Sequence, residues 1–396
     1  MKVFKKVGER LKEWAIQVRN ARAEVIADIT KEAIRDLASE RYFNLPDKFT
    51  SYIEDYERRE GALQSIADYR DHFIHPFHVF CLGYLILEWW IKESPRKEGM
   101  PLKLTENHGI DYDLTLWFIA SVYHDVGFPA EKLEVLIHDF FKTIAGRELR
   151  SQFDWSSVIL ADSNIEHIHE LCKRFSEKSG NHYEAGNTFE KWINKRLLED
   201  HDHGILTALM LLNQGWRLTT KKVNIAYEAA LAIALHSYRR RSKEEESPEF
   251  DIGQLAVEDF PLAFFLSYCD TAQEWGRKVL LELIKKSGKA GVNNSVQYLS
   301  GLDGKLKKID ISKETVAGGE GIKTTVVIQY PTEQDTQISS NETLKDVFEA
   351  VAEGFKSTWY LRNWNEKDFR IQGEDVREIP LGHILPSPGL TSNSSG

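Results

Sequence analysis

Apolar residues recur at three- and four-residue spacing through most of the first three-quarters of the chain. Leu82, Leu85, Ile86 and Trp89 form one such series, and Leu114, Trp117, Phe118, Ser121 and Val122 another. Leu206, Leu209, Met210 and Asn213 continue it, followed by Tyr227, Ala230, Leu231, Ala234 and Leu235, then by Leu262, Phe265, Leu266, Cys269 and Ala272. This spacing predicts helices that bury one face. From Ala62 to about Lys286 no segment reads as a β-hairpin. Residues 1–60 are helical in pattern but more charged, with Pro46 as a break, and read as a helical extension packing on the core.

After Gly288 the period changes. Lys308–Ile311 and Thr324–Tyr330 alternate or run β-branched, and Gly318-Gly319-Glu320-Gly321 between them predicts a hairpin loop. Ser339 with Glu342 three residues on has the form of a capping box. It precedes an amphipathic series, Leu344, Val347, Phe348, Val351 and Phe355, and a last short strand is expected around Phe369 and Ile371. The pattern therefore predicts a mainly α protein: an N-terminal extension over 1–60, a helical domain over 61–288, a small α+β domain over 289–382 and a disordered tail over 383–396. A chain of 396 residues suits this division, since single cores stop growing near roughly 250–300 residues.

Composition narrows the partners. The net charge is −10, from 61 acidic and 51 basic residues, which argues against an extended nucleic-acid surface, because that binding neutralises phosphates with Lys and Arg. A locally basic nucleotide pocket remains compatible with it. Cys81, Cys172 and Cys269 show no CxxC spacing and read as free thiols of a cytoplasmic protein. The first residues lack the apolar core of a signal peptide. Phe73 to Ile91 has the length of a membrane span, but His75, His78 and Glu88 make it a better core helix, so no membrane partner is expected.

The sharpest chemical signal is His124-Asp125. Consecutive residues within a helix point about 100° apart, but Gly127 and Pro129 follow at once and stop the helix, so both side chains can turn toward one ion. His75 offers an imidazole where Pro76 suits a first helical turn, with His72 and His78 as rivals at helical spacing. Asp270 offers a carboxylate from an apolar helix; either a metal or an ion pair with Arg277 would satisfy it. His203 competes with His201 in the acidic stretch Asp200–His203, where a helix N-cap cluster is the plainer reading. His236 is either a ligand or a satisfied core histidine. Arg239-Arg240-Arg241 could grip a phosphate, although Glu244-Glu245-Glu246 beside it favours a solvated helix end for most of the run. His108, His138, His167, His169, His182 and His383 read as structural or surface residues, and there is no GxxxxGK[ST] phosphate loop.

The segments HPFHVFCLG (75–83), VYHDVGFP (122–129), HGILTALMLL (203–212), AIALHSY (232–238) and SYCDTAQEWGR (267–277), in that order, resemble the HD superfamily of metal-dependent phosphohydrolases over roughly residues 62–280. The resemblance implies an HD-type helical bundle with one or two divalent ions (Mn, Mg, Fe, Co, Ni or Zn). It places His75, His124, Asp125 and Asp270 on one metal, and His203 and His236 on a second, with Asp125 bridging. It also implies hydrolysis of a phosphoester or phosphoanhydride in a nucleotide or other small phosphate, with Asp125, Lys132, Arg239 and Arg277 as the catalytic set. One departure is Phe128, which stands where the common family form has Lys; Lys132 is the candidate replacement. The alternative is a metal- and nucleotide-binding sensor with little or no turnover, whose motive is the extra C-terminal domain. Either reading leaves room for a homo-oligomer.

Overall fold

The computed structural model describes residues 2–21, 23–46, 49, 74–93, 104, 109–129, 131, 162–180, 184–198, 202–213, 220–238, 249–270, 308–316, 319–328, 359–360 and 384–386. These residues are mainly helical. In chain order the helices are α1 (Lys2–Asn20), α2 (Ala23–Ala38), α3 (Ile74–Glu93), α4 (Ile110–Tyr123), α5 (Asp162–Ser179), α6 (Glu184–Leu198), α7 (His203–Leu212) and α8 (Thr220–His236). A further helical stretch over 261–270, called α9, opens on Pro261, whose missing N–H costs nothing in a first turn.

The centre of the body is α4, which packs against α1, α3 and α8. Its residues from Leu116 to Tyr123 are all buried, so it is enclosed on every side rather than amphipathic. The same holds for much of α3, where Ile74 through Tyr84 are buried apart from any solvent-facing stripe. The one-faced pattern read from the sequence therefore understates burial here: a helix with neighbours on all sides needs apolar residues at all angles. Close approach of α3 to α4 occurs at Gly83, beside the fully buried Trp117, whose Nε1–H donates to the Phe80 carbonyl at 3.1 Å.

The N-terminal helices contribute to this same core. Phe4 stacks on Tyr84 at 4.7 Å, and Trp14 packs edge-on to Phe77 at 4.7 Å while its Nε1–H reaches Thr30 Oγ1. Further along, α7 and α8 pack closely together, and α5 lies against α6 and α8. Among the described residues no helix is long and apolar enough to cross a membrane. The three cysteines are free and buried.

Strands occur later. A two-residue strand, β1 (Leu255–Ala256), pairs in parallel with β4 (Trp359–Tyr360). It was not foreseen, since two residues carry no period. β2 (Lys308–Val316) and β3 (Gly319–Ile328) run antiparallel, with Val316 opposite Gly319. Gly319 to Gly321 thus belong to strand β3, and the connection is shorter than the four-residue loop expected from its glycines. Ile384–Pro386 (β5) pairs in parallel with β3, at the head of the stretch read as a tail. The expected amphipathic helix around Leu344–Phe355 and the strand at Phe369–Ile371 lie outside the described residues.

Candidate metal centre

The helix ends converge on one point. α4 ends at Tyr123, and His124 to Gly127 form a turn held by Val126 N–H to the Tyr123 carbonyl and Phe128 N–H to the Asp125 carbonyl. The turn faces the first turn of α7: Gly127 N–H donates to Thr207 Oγ1 at 2.6 Å. A Cβ on Gly127 would sit 2.6 Å from the His203 carbonyl oxygen, so only glycine permits this approach. Gly127 therefore does more than end a helix.

The other side chains arrive from α3 (His75), the start of α7 (His203), the last residue of α8 (His236) and the last described residue of α9 (Asp270). His75 Nε2 lies 2.9 Å from Asp270 Oδ1 and 3.6 Å from Asp125 Oδ2. His124 Nε2 lies 3.4 Å from both Asp125 Oδ2 and Asp270 Oδ1. His203 Nε2 is 3.5 Å from the other Asp125 oxygen, Oδ1. Ring centroids of His124 and His236 are 5.1 Å apart, and those of His203 and His236 5.2 Å. Three overlapping sets result, His75–His124–Asp125, His124–His236–Asp270 and Asp125–His203–His236, each with its ligand atoms within 4.8 Å of one another.

Several features suit a divalent cation. Mixed imidazole and carboxylate donors are the chemistry of borderline and hard metals. Nδ1 of His124 donates to the Ser121 carbonyl at 2.7 Å, and Nδ1 of His236 to the Ile233 carbonyl, each three residues back in its own helix. Nδ1 of His203 is 2.8 Å from Glu131 Oε2. A ring that donates from Nδ1 presents the Nε2 lone pair, which is how a protein orients an imidazole for a metal. The Nε2 of His124 is buried and faces the Asp125 and Asp270 carboxylates at 3.4 Å without a well-formed hydrogen bond, a spacing that a cation between them would satisfy.

The metal-free electrostatics agree. Burial alone would lower the His124 imidazole, but the Asp125 and Asp270 carboxylates raise it. Burial is likewise overcome at His203, where the Glu131 hydrogen bond and the charges of Asp125 and Asp202 carry the ring up to about 9. His236, by contrast, is pushed down to about 3 by burial and by the neighbouring His124 and His203. Burial would raise Asp270, yet His124 and His75 hold it well below the usual carboxylate range. Protons on the rings thus offset buried carboxylates where a cation would, and a metal entering would displace them.

Asp202 fastens the α7–α8 side. Its Oδ1 caps α7 by accepting from Gly204 N–H at 2.9 Å and Ile205 N–H at 3.2 Å, and it also accepts from Ser237 Oγ at 2.9 Å, next to His236. A Cβ on Gly204 would lie 2.8 Å from the Ile233 carbonyl, so the two helices meet closely here. Asp202→Ala is expected to cost about 1–2 kcal/mol, the value of an N-cap together with a half-buried polar partner. Chemical denaturation would measure this; an unchanged midpoint would show that the cap contributes nothing.

The rival His78, and His167, which was read as structural or surface, lie apart from the cluster. His78 is buried but packs on Trp14 at 5.8 Å, outside the cluster, and His167 bonds Tyr227 OH at 2.8 Å on α5. His72, His201, Lys132, Arg239 and Arg277 lie outside the described residues. Phe128 packs edge-on to His203 at 5.6 Å. Glu131, Thr207 and Ser237 were not singled out by the sequence, whereas Asp202 lies in the stretch read there as a helix N-cap cluster and does cap α7. Only Asp202 carries a local signal, as a capping residue before His203-Gly204; Glu131 sits in an unremarkable polar stretch. Comparisons of the chain with protein-family profiles, curated proteins and solved structures found no match.

Proposed function

We propose that the chain is a metal-dependent phosphohydrolase of the HD type, acting in the cytoplasm on a nucleotide or related small phosphate. The observation that carries this reading is the convergence of four imidazoles and two carboxylates in three overlapping ligand sets. A structural core would have little reason to aim three Nε2 atoms and both Asp125 oxygens at one another. The order of these residues along the chain, and its resemblance to the HD superfamily, supplies the reaction class.

In this reading His75, His124, Asp125 and Asp270 would hold one ion, and Asp125, His203 and His236 would hold a second. His236 also stands within reach of His124 and Asp270, so a single ion could draw on it. When bound, divalent ions neutralise charge on phosphate oxygens and make water a better nucleophile near neutral pH. The chain's part is to hold the rings with Nε2 inward, to place the Asp125 carboxylate between the two sets, and to exclude bulk water by burying the centre. Lys132, Arg239 and Arg277 are the proposed phosphate contacts, and Phe128 supplies no charge where the family's Lys would stand. The segment 289–382 is proposed as the small α+β unit, free to serve a partner or a second copy.

The test is to quantify metal in the purified chain and to screen nucleoside mono-, tri- and cyclic phosphates with Mn²⁺, Mg²⁺ or Co²⁺. Stoichiometric metal and a phosphatase or phosphodiesterase activity that disappears in His124→Ala are expected. Absence of both would overturn the proposal. Tight nucleotide binding without turnover under every metal would instead establish the sensor alternative.

A further inference from the structure

We infer that Glu131 is a positioning residue that aims His203, and thereby builds the second half of the centre before any ion arrives. This rests on the proposed metal reading. His124 and His236 each end a helix, so each finds an acceptor for Nδ1–H three residues back, in the last turn. His203 begins its helix. No turn of its own helix lies behind it, and a ring at that position must borrow an acceptor from elsewhere in the fold. Glu131 Oε2 supplies it at 2.8 Å, leaving Nε2 directed at Asp125 Oδ1, 3.5 Å away.

The placement of Glu131 is itself determined by the turn that presents Asp125. Glu131 N–H donates to the Gly127 carbonyl, and Gly127 N–H is tied to Thr207 on α7. Phe128, from the same turn, packs edge-on to the ring with planes at 73°. One short segment, 124–131, therefore carries two ligands, and also the carboxylate and the aromatic edge that orient a third ligand on a different helix. The two halves of the centre are mechanically joined through it.

Co²⁺ titration of the metal-free full chain, followed by visible absorption, tests this without reference to activity. The wild type is expected to take two equivalents with distinguishable spectra. Glu131→Ala should weaken the second equivalent by about 10–100-fold, the usual effect of removing a ligand's supporting carboxylate, and leave the first unchanged. Glu131→Gln, whose amide oxygen still accepts from Nδ1–H, should restore most of the loss, which a merely structural role would not produce. Circular dichroism on the same samples confirms that both variants fold. Two equivalents in wild type with Glu131→Ala indistinguishable from it, or Glu131→Gln as weak as Glu131→Ala, would overturn the role of Glu131 alone. A wild type that takes only one equivalent would remove the second subsite, and this inference with it. A wild type that takes no Co²⁺ would overturn the metal reading itself.

Discussion

In the proposed two-metal phosphohydrolase, Asp125→Asn is expected to abolish metal uptake at both positions and to lower hydrolysis by about a thousandfold or more. Asp125 belongs to two of the three ligand sets, and its two oxygens face different partners. Oδ2 lies toward His75 and His124, and Oδ1 toward His203. Asparagine keeps the shape but removes the charge and replaces one acceptor with an NH₂ donor. That donor would point at an imidazole or a cation, whichever rotamer it adopts. Metal stabilisation of a phosphoryl transition state amounts to several kcal/mol, and each ~1.4 kcal/mol is tenfold in rate. Elemental analysis and steady-state rates on the substrate identified by screening would measure both effects. Full metal occupancy in Asp125→Asn would show that the carboxylate does not bridge. Asp270→Asn makes an informative contrast, since Asp270 belongs to one set only and its loss should spare the His203 side.

Gly83→Ala should be among the most damaging conservative changes for stability. Alanine in place of glycine usually strengthens a helix interior by about 1 kcal/mol. Here the added Cβ would stand 2.2 Å from Trp117 Cζ2 and 2.3 Å from Cε2, far inside any real contact. The indole is rigid, fully buried and held through Nε1 to the Phe80 carbonyl, so it has nowhere to move. Overpacking usually costs about 1–3 kcal/mol, and a clash this deep belongs at the upper end, so a net loss of about 2 kcal/mol is expected after the helical gain. Trp117→Phe removes the atoms that clash. In that background the cost of Gly83→Ala should fall by about 1 kcal/mol or more, a coupling within the range seen for residues in contact. Urea unfolding of the four variants gives the cycle directly, and equal costs in the two backgrounds would refute the contact. Because α4 carries His124 and Asp125 at its end, the same change should also loosen metal binding.

How much of this was legible beforehand depended on range. The helices were readable because periodicity acts over a few residues, and His124-Asp125 before Gly127 announced a helix end carrying two donors. His78 and His75 share one helix and both are apolar-flanked, so nothing local separates them; only the packing of Trp14 on His78 does. β1 was invisible, since its partner lies about a hundred residues away at Trp359–Tyr360. The burial of α3 on nearly every side was likewise beyond a one-faced pattern, because burial depends on how many neighbours arrive.

The sequence by itself determined the helical character, the donor types and their order along the chain, since these follow from local periodicity and side-chain chemistry. The tertiary structure alone decided which atoms meet. The His75–Asp270 contact spans 195 residues and the His203–Glu131 contact 72, and neither separation has a period that could be read. It also decided that Gly127 and Gly204 are glycines for reasons of closeness between segments, and that a carboxylate with no local signal supports a ligand at a helix start. A helix that begins at its ligand has no turn of its own behind it to orient the ring, so the fold must bring an acceptor from another segment.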